Sequence, residues 1–502
     1  MAVSRAGEAE MPKAERAPSS RALFLSVFPS IMMPMFLAAV DQTIVATALP
    51  AIAGALGEVE RISWIVVSYL VATTIAAPVY GKLGDALGRR RMMLVALVVF
   101  LVASVLCALA PSILTLTLAR VLQGTGGGGL MTLSQALIGE SVPPRERGRF
   151  QGYLSATFVT ASTFGPVAGG YLTQHFGWQS VFLVNLPLGL VAIGLALRLP
   201  AHPGGGGRMQ FDFWGVLFFA AFITPVLLAL EKAQRFELAA LPGVIALAAV
   251  AVVALVLLLR QEKRAPSPLL PLKLLRQPAI WRTNTMAAFV AGAMVATVSF
   301  LPMYYQVVRG TTPAETGLLM LPMTAGVGIG ALFTGRMIAH TGRTTIFPCF
   351  GLIVTAAALL CLGLLAPSLG TWQLPWLFAV VSLSMGTGMP VVQMTVQSVA
   401  GIKQLGSASA SVQFSRSVGA AFGTAIVGAV LFALLAAQDS AIAGRFAELV
   451  QQGPRVLAAL DAGRRSMVQA EISWAFRGAF LTVAGFVAIA LGLAWWIPVR
   501  RI

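Results

Sequence analysis

Fourteen apolar segments, each about long enough to cross a lipid bilayer as a helix, dominate the sequence. Hydrophobic residues make up 57% of the 502 residues and charged residues only 11%, a composition that excludes a soluble globular protein. The sequence therefore predicts an all-α polytopic membrane protein. The predicted spans are 24–50, 62–80, 92–110, 112–138, 150–173, 179–198, 213–231, 239–259, 283–306, 315–338, 345–365, 374–398, 409–436 and 475–498.

The spacing of these spans divides the chain into groups of six, two and six. Residues 1–21 are predicted to form a polar cytoplasmic tail, and 22–199 a first six-helix bundle. Residues 200–276 hold two linkers and two extra transmembrane helices. Residues 277–502 form a second six-helix bundle that includes an external loop at 439–473. That loop is either a pair of amphipathic helices lying on the membrane or on a partner, or a passive cover.

The basic residues orient the chain in the membrane. The formal net charge is +17, but Lys and Arg are scattered through short connectors rather than gathered in one patch, which argues against nucleic acid as a partner. Their asymmetry places both termini in the cytoplasm of a multi-pass protein, with contacts to anionic membrane lipids. The three cysteines lie in apolar spans without paired spacing, so neither a disulfide nor a metal site is predicted.

The connector Gly81–Arg91, with the sequence GKLGDALGRRR, separates the second span from the third. Its glycines allow a tight turn with close backbone approach, and its charges can bond neighbouring helix ends. The alternative is a loop that only sets topology. The connector holds one acid, Asp85, and four basic residues, Lys82, Arg89, Arg90 and Arg91.

A related pattern occurs in the second half of the chain. Gly335-Arg336 and Gly342-Arg343 repeat the seven-residue glycine spacing of the first connector, although Ala339 replaces the acid. A duplicated half is the arrangement that alternating access by rocking bundles uses, with binding sites near the midplane. Chance is the alternative, since Gly and Arg are common in short cytoplasmic loops.

Several motifs carry a resemblance to a known family. The G-x-L-x-D-x-x-G-R-R of the first connector resembles the signature loop of the major facilitator superfamily. Asp41–Pro50, Arg120–Gly129 and Gly165–Gly170 resemble motifs of its fourteen-helix drug:proton antiporters, the EmrB/QacA type. Two positions depart from that pattern: Ala46-Thr47 stands where Asn-Val is usual, and Gln179-Ser180 where Arg-Trp is usual.

This resemblance implies the major facilitator fold, in which two six-helix bundles rock about a central site, here with two extra transmembrane helices. It implies multidrug efflux: export of lipophilic or amphipathic compounds across a bacterial cytoplasmic membrane, driven by the proton gradient without a cofactor. The expected partners are these substrates, protons, membrane lipids and a periplasmic adaptor protein. Two alternatives stay open. One is a proton-coupled or passive importer of a small metabolite, and the other a membrane enzyme or receptor on the same scaffold.

The resemblance also implies a cytoplasmic gate that latches the two halves together. We expect Arg89 or Arg90 to pair with Glu140, and Asp85 to face the start of a helix near Ser407–Ser411, where free backbone N–H groups favour an anion. The predicted gate residues are Gly81, Asp85, Gly88, Arg89, Arg90, Glu140 and Arg416.

Asp41 and Arg120 are the predicted proton-coupling pair. Both lie roughly 12–13 Å below the outer surface if their spans are regular helices. A charge at that depth must face the protein interior and find a partner. The functional interpretation makes Asp41 the proton carrier, and the alternative is a permanent structural ion pair.

The antiporter motif of the fifth span consists of Gly165, Pro166, Gly169 and Gly170. Glycines four residues apart beside a proline predict a kink and a tight helix contact that can shape a gate. Packing alone explains them equally well.

The candidate substrate cavity is assembled from polar and adaptable side chains inside the spans. Its members are Gln42, Gln123, Asn185, Tyr305, Met389, Gln393 and Gln397.

Overall fold

The computed structural model describes residues 27–57, 61–144, 146–200, 211–233, 241–270, 272–365, 368–438, 462–499 and 501. Their regular elements are helices, which confirms the all-α prediction. The predicted tail at 1–21, residues 201–210 of the first linker, and 439–461 of the predicted external loop lie outside this part of the chain. In chain order the helices are α1 (Phe28–Leu56), α2 (Ser63–Leu87), α3 (Arg89–Ala108), α4 (Ile113–Ser141), α5 (Arg147–Phe176), α6 (Ser180–Leu183), α7 (Asn185–Ala196), α8 (Phe213–Ala233), α9 (Leu241–Arg264), α10 (Leu272–Leu275), α11 (Pro278–Met303), α12 (Pro313–Thr341), α13 (Ile346–Leu365), α14 (Leu374–Gly386), α15 (Gly388–Ala400), α16 (Leu405–Gln438) and α17 (Ala462–Trp495).

Length and hydropathy identify eleven helical segments in the described residues that can cross a membrane, and one shorter apolar segment, Ser180–Ala196. Helices α4 and α5 are 29 and 30 residues long but are not among the eleven. Glycines and polar residues lower their mean hydropathy, and α4 contains the four consecutive glycines Gly126–Gly129. These helices are therefore built for contact with other helices as much as for contact with lipid.

Each half of the chain buries its own apolar core. One core is formed by residues of α1 to α7, and the other by residues of α10 to α17. A third, smaller cluster centres on Phe219 and Ile223 of α8, and it packs against α2 of the first half and α16 of the second. The rings of Phe219 and Phe414 are 5.4 Å apart. The two extra helices therefore lie against the line where the halves meet.

The second linker is bonded to the first connector. The Nζ of Lys82 donates to the carbonyl oxygens of Ser267 and Pro268, the latter at 2.5 Å. Glu262 at the end of α9 accepts a hydrogen bond from the backbone N–H of Leu270 at 3.0 Å. The linker is thus held by side-chain bonds to backbone groups as well as by burial of Leu269.

Three predicted spans are interrupted. Span 179–198 is divided into α6 and α7 at Val184, because Pro187 has no N–H to offer the carbonyl of Leu183. Span 374–398 is divided into α14 and α15 at Thr387, which stands between two glycines. Helix α11 ends in a π-helical turn, Tyr304–Val308, which begins two residues after Pro302.

The last helix is longer than predicted. It begins at Ala462, not at 475, so residues 462–473 are helical rather than part of an external loop. Val468 and Ile472 in this extension are buried in the core of the second half. Their burial against neighbouring helices explains why the helix continues beyond the predicted span.

The connector between α2 and α3 is far shorter than the predicted eleven residues. Helix α2 continues to Leu87, and Gly88 alone, with φ of 96°, joins it to α3. The related glycine of the second half, Gly342, ends α12 with φ of 66°. Both conformations favour a residue without a Cβ atom, which supports the predicted repeat.

Candidate functional site

Two glycines bring the halves into backbone contact at one end of the molecule. We call this end the motif end, because it carries residues 81–91. A Cβ atom on Gly81 would lie 2.6 Å from the carbonyl oxygen of Gly406, and one on Gly406 would overlap the carbonyl of Gly81. Helices α2 and α16 can therefore meet this closely only if both positions are glycine.

An ion network beside these glycines joins the halves. Asp85 Oδ1 accepts a hydrogen bond from the backbone N–H of Gly406 at 2.8 Å, and Oδ2 accepts from the N–H of Ser407 at 3.0 Å and from its Oγ at 3.2 Å. These donors belong to the first turn of α16, where backbone N–H groups lack partners within the helix and favour an anion. The predicted position of Asp85 is confirmed.

Arg89 connects this anchor to two further groups. Its Nη2 lies 2.6 Å from Asp85 Oδ1 and donates to the carbonyl of Ile402 at 2.9 Å, and its Nη1 lies 2.8 Å from Glu140 Oε2. We call Asp85, Arg89, Glu140 and the Gly406–Ser407 backbone the latch. The predicted Arg89–Glu140 pair is confirmed, and the latch is closed in this structure.

Two predicted gate residues lie elsewhere. Arg90 donates to the carbonyl of Leu197 at 2.6 Å, so it fastens α3 to the end of α7 and takes no part in the latch. Arg416 lies nine residues beyond Ser407 on α16, roughly 13 Å along the helix. The prediction for Arg416 relied on sequence resemblance, which gave no depth in the membrane.

A second glycine contact joins α5 to α12 at the motif end. A Cβ atom on Gly148 would lie 2.9 Å from the carbonyl oxygen of Gly335, and one on Gly335 would overlap the carbonyl of Gly148. Gly335 is the counterpart of Gly81 in the repeat, so corresponding glycines make corresponding contacts. Ala339 stands where the acid would be, and this second contact has no counterpart of Asp85.

Gln397 also connects the halves, which corrects its predicted place in the cavity. Its Nε2 donates to the carbonyl of Gln135 on α4 at 2.8 Å and to Ser409 Oγ at 3.3 Å. Its Oε1 would lie 3.0 Å from a Cβ atom on Gly139. Gln393 is likewise buried and donates to Ser409 Oγ at 2.8 Å. Both amides stabilise helix contacts rather than line an open space.

Asp41 and Arg120 form a direct ion pair in the core of the first half. Arg120 Nη1 lies 2.6 Å from Asp41 Oδ2, and the two side chains are 2% and 0% exposed. The guanidinium carbon of Arg120 lies 4.1 Å from the centre of the Tyr69 ring, which adds a cation–π contact. The matching depths that the sequence predicted are confirmed by this contact.

Two predicted cavity residues belong to this ion pair instead. Gln123 Nε2 and Asn185 Nδ2 each donate to Asp41 Oδ1 at 2.9 Å, and Gln123 Oε1 accepts from Arg120 Nη1 at 2.6 Å. Both amides are fully buried. Ser104, which the sequence analysis missed, accepts from Gln123 Nε2 at 2.8 Å and from Asn185 Nδ2 at 3.3 Å. The sequence signal for Ser104 was its hydroxyl group, which stands in an otherwise apolar span and needs a hydrogen-bond partner there.

The antiporter motif packs α5 against α1. A Cβ atom on Gly165 would overlap Thr43 Oγ1, and one on Gly169 would overlap Thr47 Oγ1 and lie 2.5 Å from the carbonyl of Ile44. Thr43 Oγ1 donates to the carbonyl of Ala161 across this contact at 3.2 Å.

The other two motif residues do not share the contact. Pro166 is exposed, and a Cβ atom on Gly170 would meet nothing within 4 Å. Tight helix contact is confirmed at Gly165 and Gly169 only.

Three predicted cavity residues remain. One of them lies in the apolar core, and the other two are half-buried. Tyr305 is fully buried in the core of the second half. Met389 is half-buried on α15. Gln42 is half-buried on α1, with its Nε2 4.0 Å from Met131 Sδ. Gln413 of α16 approaches the same sulfur from the other half, at 3.9 Å.

Known proteins resemble this chain in sequence along most of its length. An uncharacterized MFS-type transporter of Mycobacterium tuberculosis is 35% identical over 409 residues, which cover 80% of this chain and 59% of that protein. The chain thus spans less than two thirds of that relative's length. Multidrug transporter protein MdtP of Bacillus subtilis is 31% identical over 417 residues, which cover 82% of this chain and 76% of that protein.

Solved structures share the fold. The human organic anion transporter MFSD10 superposes with a TM-score of 0.64 at 14% identity and covers 95% of this chain and 100% of its own. The proton:xylose symporter XylE superposes with the same TM-score and sequence identity, and the alignment covers 95% of this chain and 96% of XylE. At this identity the likeness establishes the fold alone. Residues 31–424 match the sequence profile of the Major Facilitator Superfamily, and the chain belongs to that family.

Proposed function

We propose that this protein exports lipophilic or amphipathic compounds in exchange for protons. It does so by alternating access, in which the central site opens first to one side of the membrane and then to the other. The observation that carries the proposal is the buried Asp41–Arg120 pair. A carboxylate held at mid-depth of a transporter fold, with its charge balanced by one arginine, is the kind of group that transporters use as a proton relay.

The latch supports the alternating part of the mechanism. It connects the halves through bonds that exist only while the motif end is closed, so it supplies a two-state element. With the motif end assigned to the cytoplasm, as proposed below, these bonds are incompatible with an inward-open state. In this structure the Asp41 carboxylate accepts hydrogen bonds from three donors, Arg120, Gln123 and Asn185. Proton uptake from outside would weaken these bonds and favour the opposite state.

The names of relatives support export. Besides the multidrug transporter of Bacillus subtilis, an efflux pump of Dothistroma septosporum is 33% identical over 336 residues. These names denote transport rather than catalysis or signalling, so an enzyme or receptor on the same scaffold is disfavoured. An importer is the competing function, and the direction of pumping separates the two.

We further propose fourteen crossings, with both termini and the motif end in the cytoplasm of a bacterial cell. The eleven apolar segments, helices α4 and α5, and the α6–α7 pair together supply that number. The positive-inside rule assigns the motif end to the cytoplasm, because Lys82 and Arg89 to Arg91 lie there.

Asp41→Asn in everted membrane vesicles with an imposed pH gradient tests proton coupling. We expect efflux driven by the gradient to fall by about two orders of magnitude, as for the loss of a general acid or base, while substrate binding persists. Glu315→Gln is the matched control, because Glu315 is an exposed carboxylate that caps α12.

The single variant leaves Arg120 without its counter-charge, which can destabilise the fold by about 3–5 kcal/mol. The double variant Asp41→Asn/Arg120→Gln restores the charge balance and is expected to fold yet remain uncoupled. Proton-driven efflux at the wild-type rate by either folded variant would contradict a carrier role for Asp41. Accumulation in the opposite direction would favour an importer.

A further inference from the structure

Arg416 is a cation on a membrane-spanning helix, and no described residue supplies it with a counter-charge. It lies on α16, well beyond the latch, and its side chain is half-buried. Among the described residues, none is hydrogen-bonded or ion-paired to its guanidinium group. The other arginine at mid-depth, Arg120, shows the contrast, because its charge is balanced by Asp41.

The contacts of its neighbours define which way Arg416 faces. Residues three and seven positions apart share one side of a helix, so Arg416 lies on the side of Gln413 and Ser409. Gln413 reaches Met131 of the first half, and Ser409 accepts bonds from α15. Phe414 lies on the opposite side, where it packs against Phe219 of α8. Arg416 therefore faces away from the extra helices, on the side of α16 where Gln413 approaches the first half.

Helix α11 borders the same side of α16, because Gly419 and Gly423 lie three and seven positions beyond Arg416. A Cβ atom on Gly419 would overlap the carbonyl of Ala288, and one on Gly423 would overlap the backbone of Gly292. On the side of the first half, Gln42 and Met131 face the same region. About one turn of α16 from Arg416, Gln413 thus meets Met131, which Gln42 also approaches from the first half.

A charge at this depth is costly unless it has a partner or lines a space that water or substrate can enter. Asp41 cannot serve as the partner, because Arg120, Gln123 and Asn185 already bind its carboxylate. Asp85 cannot serve either, because it is held in the latch at the motif end. The missing anion has to come from outside the described chain.

We propose that Arg416 binds an anionic group of the transported compound, such as a carboxylate or sulfonate, with the Gln42 and Gln413 amides beside it. This inference rests on the proposed export function and narrows its substrate class to amphipathic anions. A guanidinium suits the role because its planar donors bind carboxylate through two parallel hydrogen bonds. Met131 supplies the adaptable apolar surface that varied substrate bodies require.

A matched series of probes on one scaffold tests the inference. The probes are pyrenebutyrate, its methyl ester and pyrenylbutyl trimethylammonium, which share an apolar body and differ in charge. Binding to the purified full chain is measured by fluorescence anisotropy, and efflux is measured in everted vesicles with a pH gradient. The wild-type protein is expected to bind the carboxylate at least about tenfold more tightly than either other probe, as expected for one charge-assisted pair.

Arg416→Gln is expected to remove this preference by weakening carboxylate binding about tenfold or more while leaving ester binding unchanged. Arg416→Lys keeps the charge but lacks the planar donors, so it should retain part of the preference. Arg477→Gln is the matched control, since Arg477 lies on α17 and donates to the carbonyl of Gly363. If Arg416→Gln does not fold, the probe series on wild type and the Arg416→Lys variant decide the matter.

Tighter binding of the ammonium probe by the wild type, or unchanged carboxylate binding by folded Arg416→Gln, would overturn the inference. Efflux of the ester or ammonium probe alone would overturn it as well and leave the export function standing. If wild-type vesicles move no compound of a broad panel under the gradient, the export function itself fails.

Discussion

Asp85 belongs to the first half by sequence and to the second by its bonds. Three of its hydrogen bonds come from Gly406 and Ser407, while Arg89 holds the carboxylate from its own side. Bonds to a charged group contribute about 1.5–3 kcal/mol each, so this one side chain can decide which state of the molecule is populated. The latch therefore acts at the scale of a single carboxylate.

Asp85→Asn is expected to open the motif end and to lower efflux by about tenfold or more, because an amide nitrogen would face backbone donors that need an acceptor. Spin labels at Arg91 and Arg343 would report the opening as a longer distance distribution. The matched control is Asp212→Asn, since Asp212 also accepts a first-turn N–H, from Gly215, but lies outside the latch. Wild-type efflux and distances in Asp85→Asn would rule out a latch.

Residue chemistry explains which of these contacts sequence alone could predict. Charges in a membrane need partners, so the Asp41–Arg120 pair was predictable from depth and sign, whereas the family resemblance predicted a Glu140 pair without separating Arg89 from Arg90. Gln123 and Asn185 could not be placed in this way. An amide side chain can form hydrogen bonds with many kinds of group. In addition, the apolar pattern of a helix does not show how that helix is rotated relative to its neighbour.

Glycines set the distances between helices in this fold, and their placement follows the partner helix. In α4, a Cβ atom on Gly124 would lie 2.6 Å from the carbonyl of Tyr69, and one on Gly126 would lie 2.8 Å from the Phe100 Cβ. The first faces α2 and the second α3. The glycines of the fifth span predicted a tight helix contact, but not with which neighbouring helix, since a small residue has no side chain to indicate direction.

Gly165→Ala is expected to destabilise the protein by about 1–3 kcal/mol through overpacking, because the new Cβ would overlap Thr43 Oγ1. Thermal unfolding in detergent, followed by circular dichroism, measures the loss. Gly170→Ala is the control, since a Cβ there meets nothing within 4 Å.

The double variant Gly165→Ala/Thr43→Ala removes the overlapping hydroxyl and should recover much of the stability. Equal melting temperatures for Gly165→Ala and Gly170→Ala would show that the α1–α5 contact is not tight.

At the scale of the whole molecule, the halves meet at the motif end through two glycine pairs. Gly81 with Gly406 carries the latch beside it, whereas Gly148 with Gly335 has an alanine where the acid would stand. The division into halves was predictable because apolar spans can be counted. Hydropathy did not predict the interruptions at Val184 and Thr387, because it continues unbroken through both positions; Pro187 and the glycines flanking Thr387 were the available signals.

Single-cysteine labelling tests the proposed orientation after the three native cysteines are replaced. Lys263→Cys lies near the motif end and should react with an impermeant maleimide only in everted vesicles, because basic connectors stay in the cytoplasm. Pro111→Cys is exposed at the other end of α3 and should react only in whole cells. The reverse pattern would refute the proposed orientation.

The extra helices make the two flanks of the molecule unequal. Along the α2–α16 flank, Phe219 and Ile223 of α8 are fully buried, so that junction is walled off by protein. Along the α5–α12 flank, Gly152 packs on Leu332. No described residue of α8 or α9 joins an apolar cluster on that flank. Phe164 and Phe333 remain 65% and 58% exposed there. If lipid-dissolved compounds are exported as proposed, we expect them to approach the junction between the halves from the α5–α12 flank, which the described residues of α8 and α9 leave uncovered.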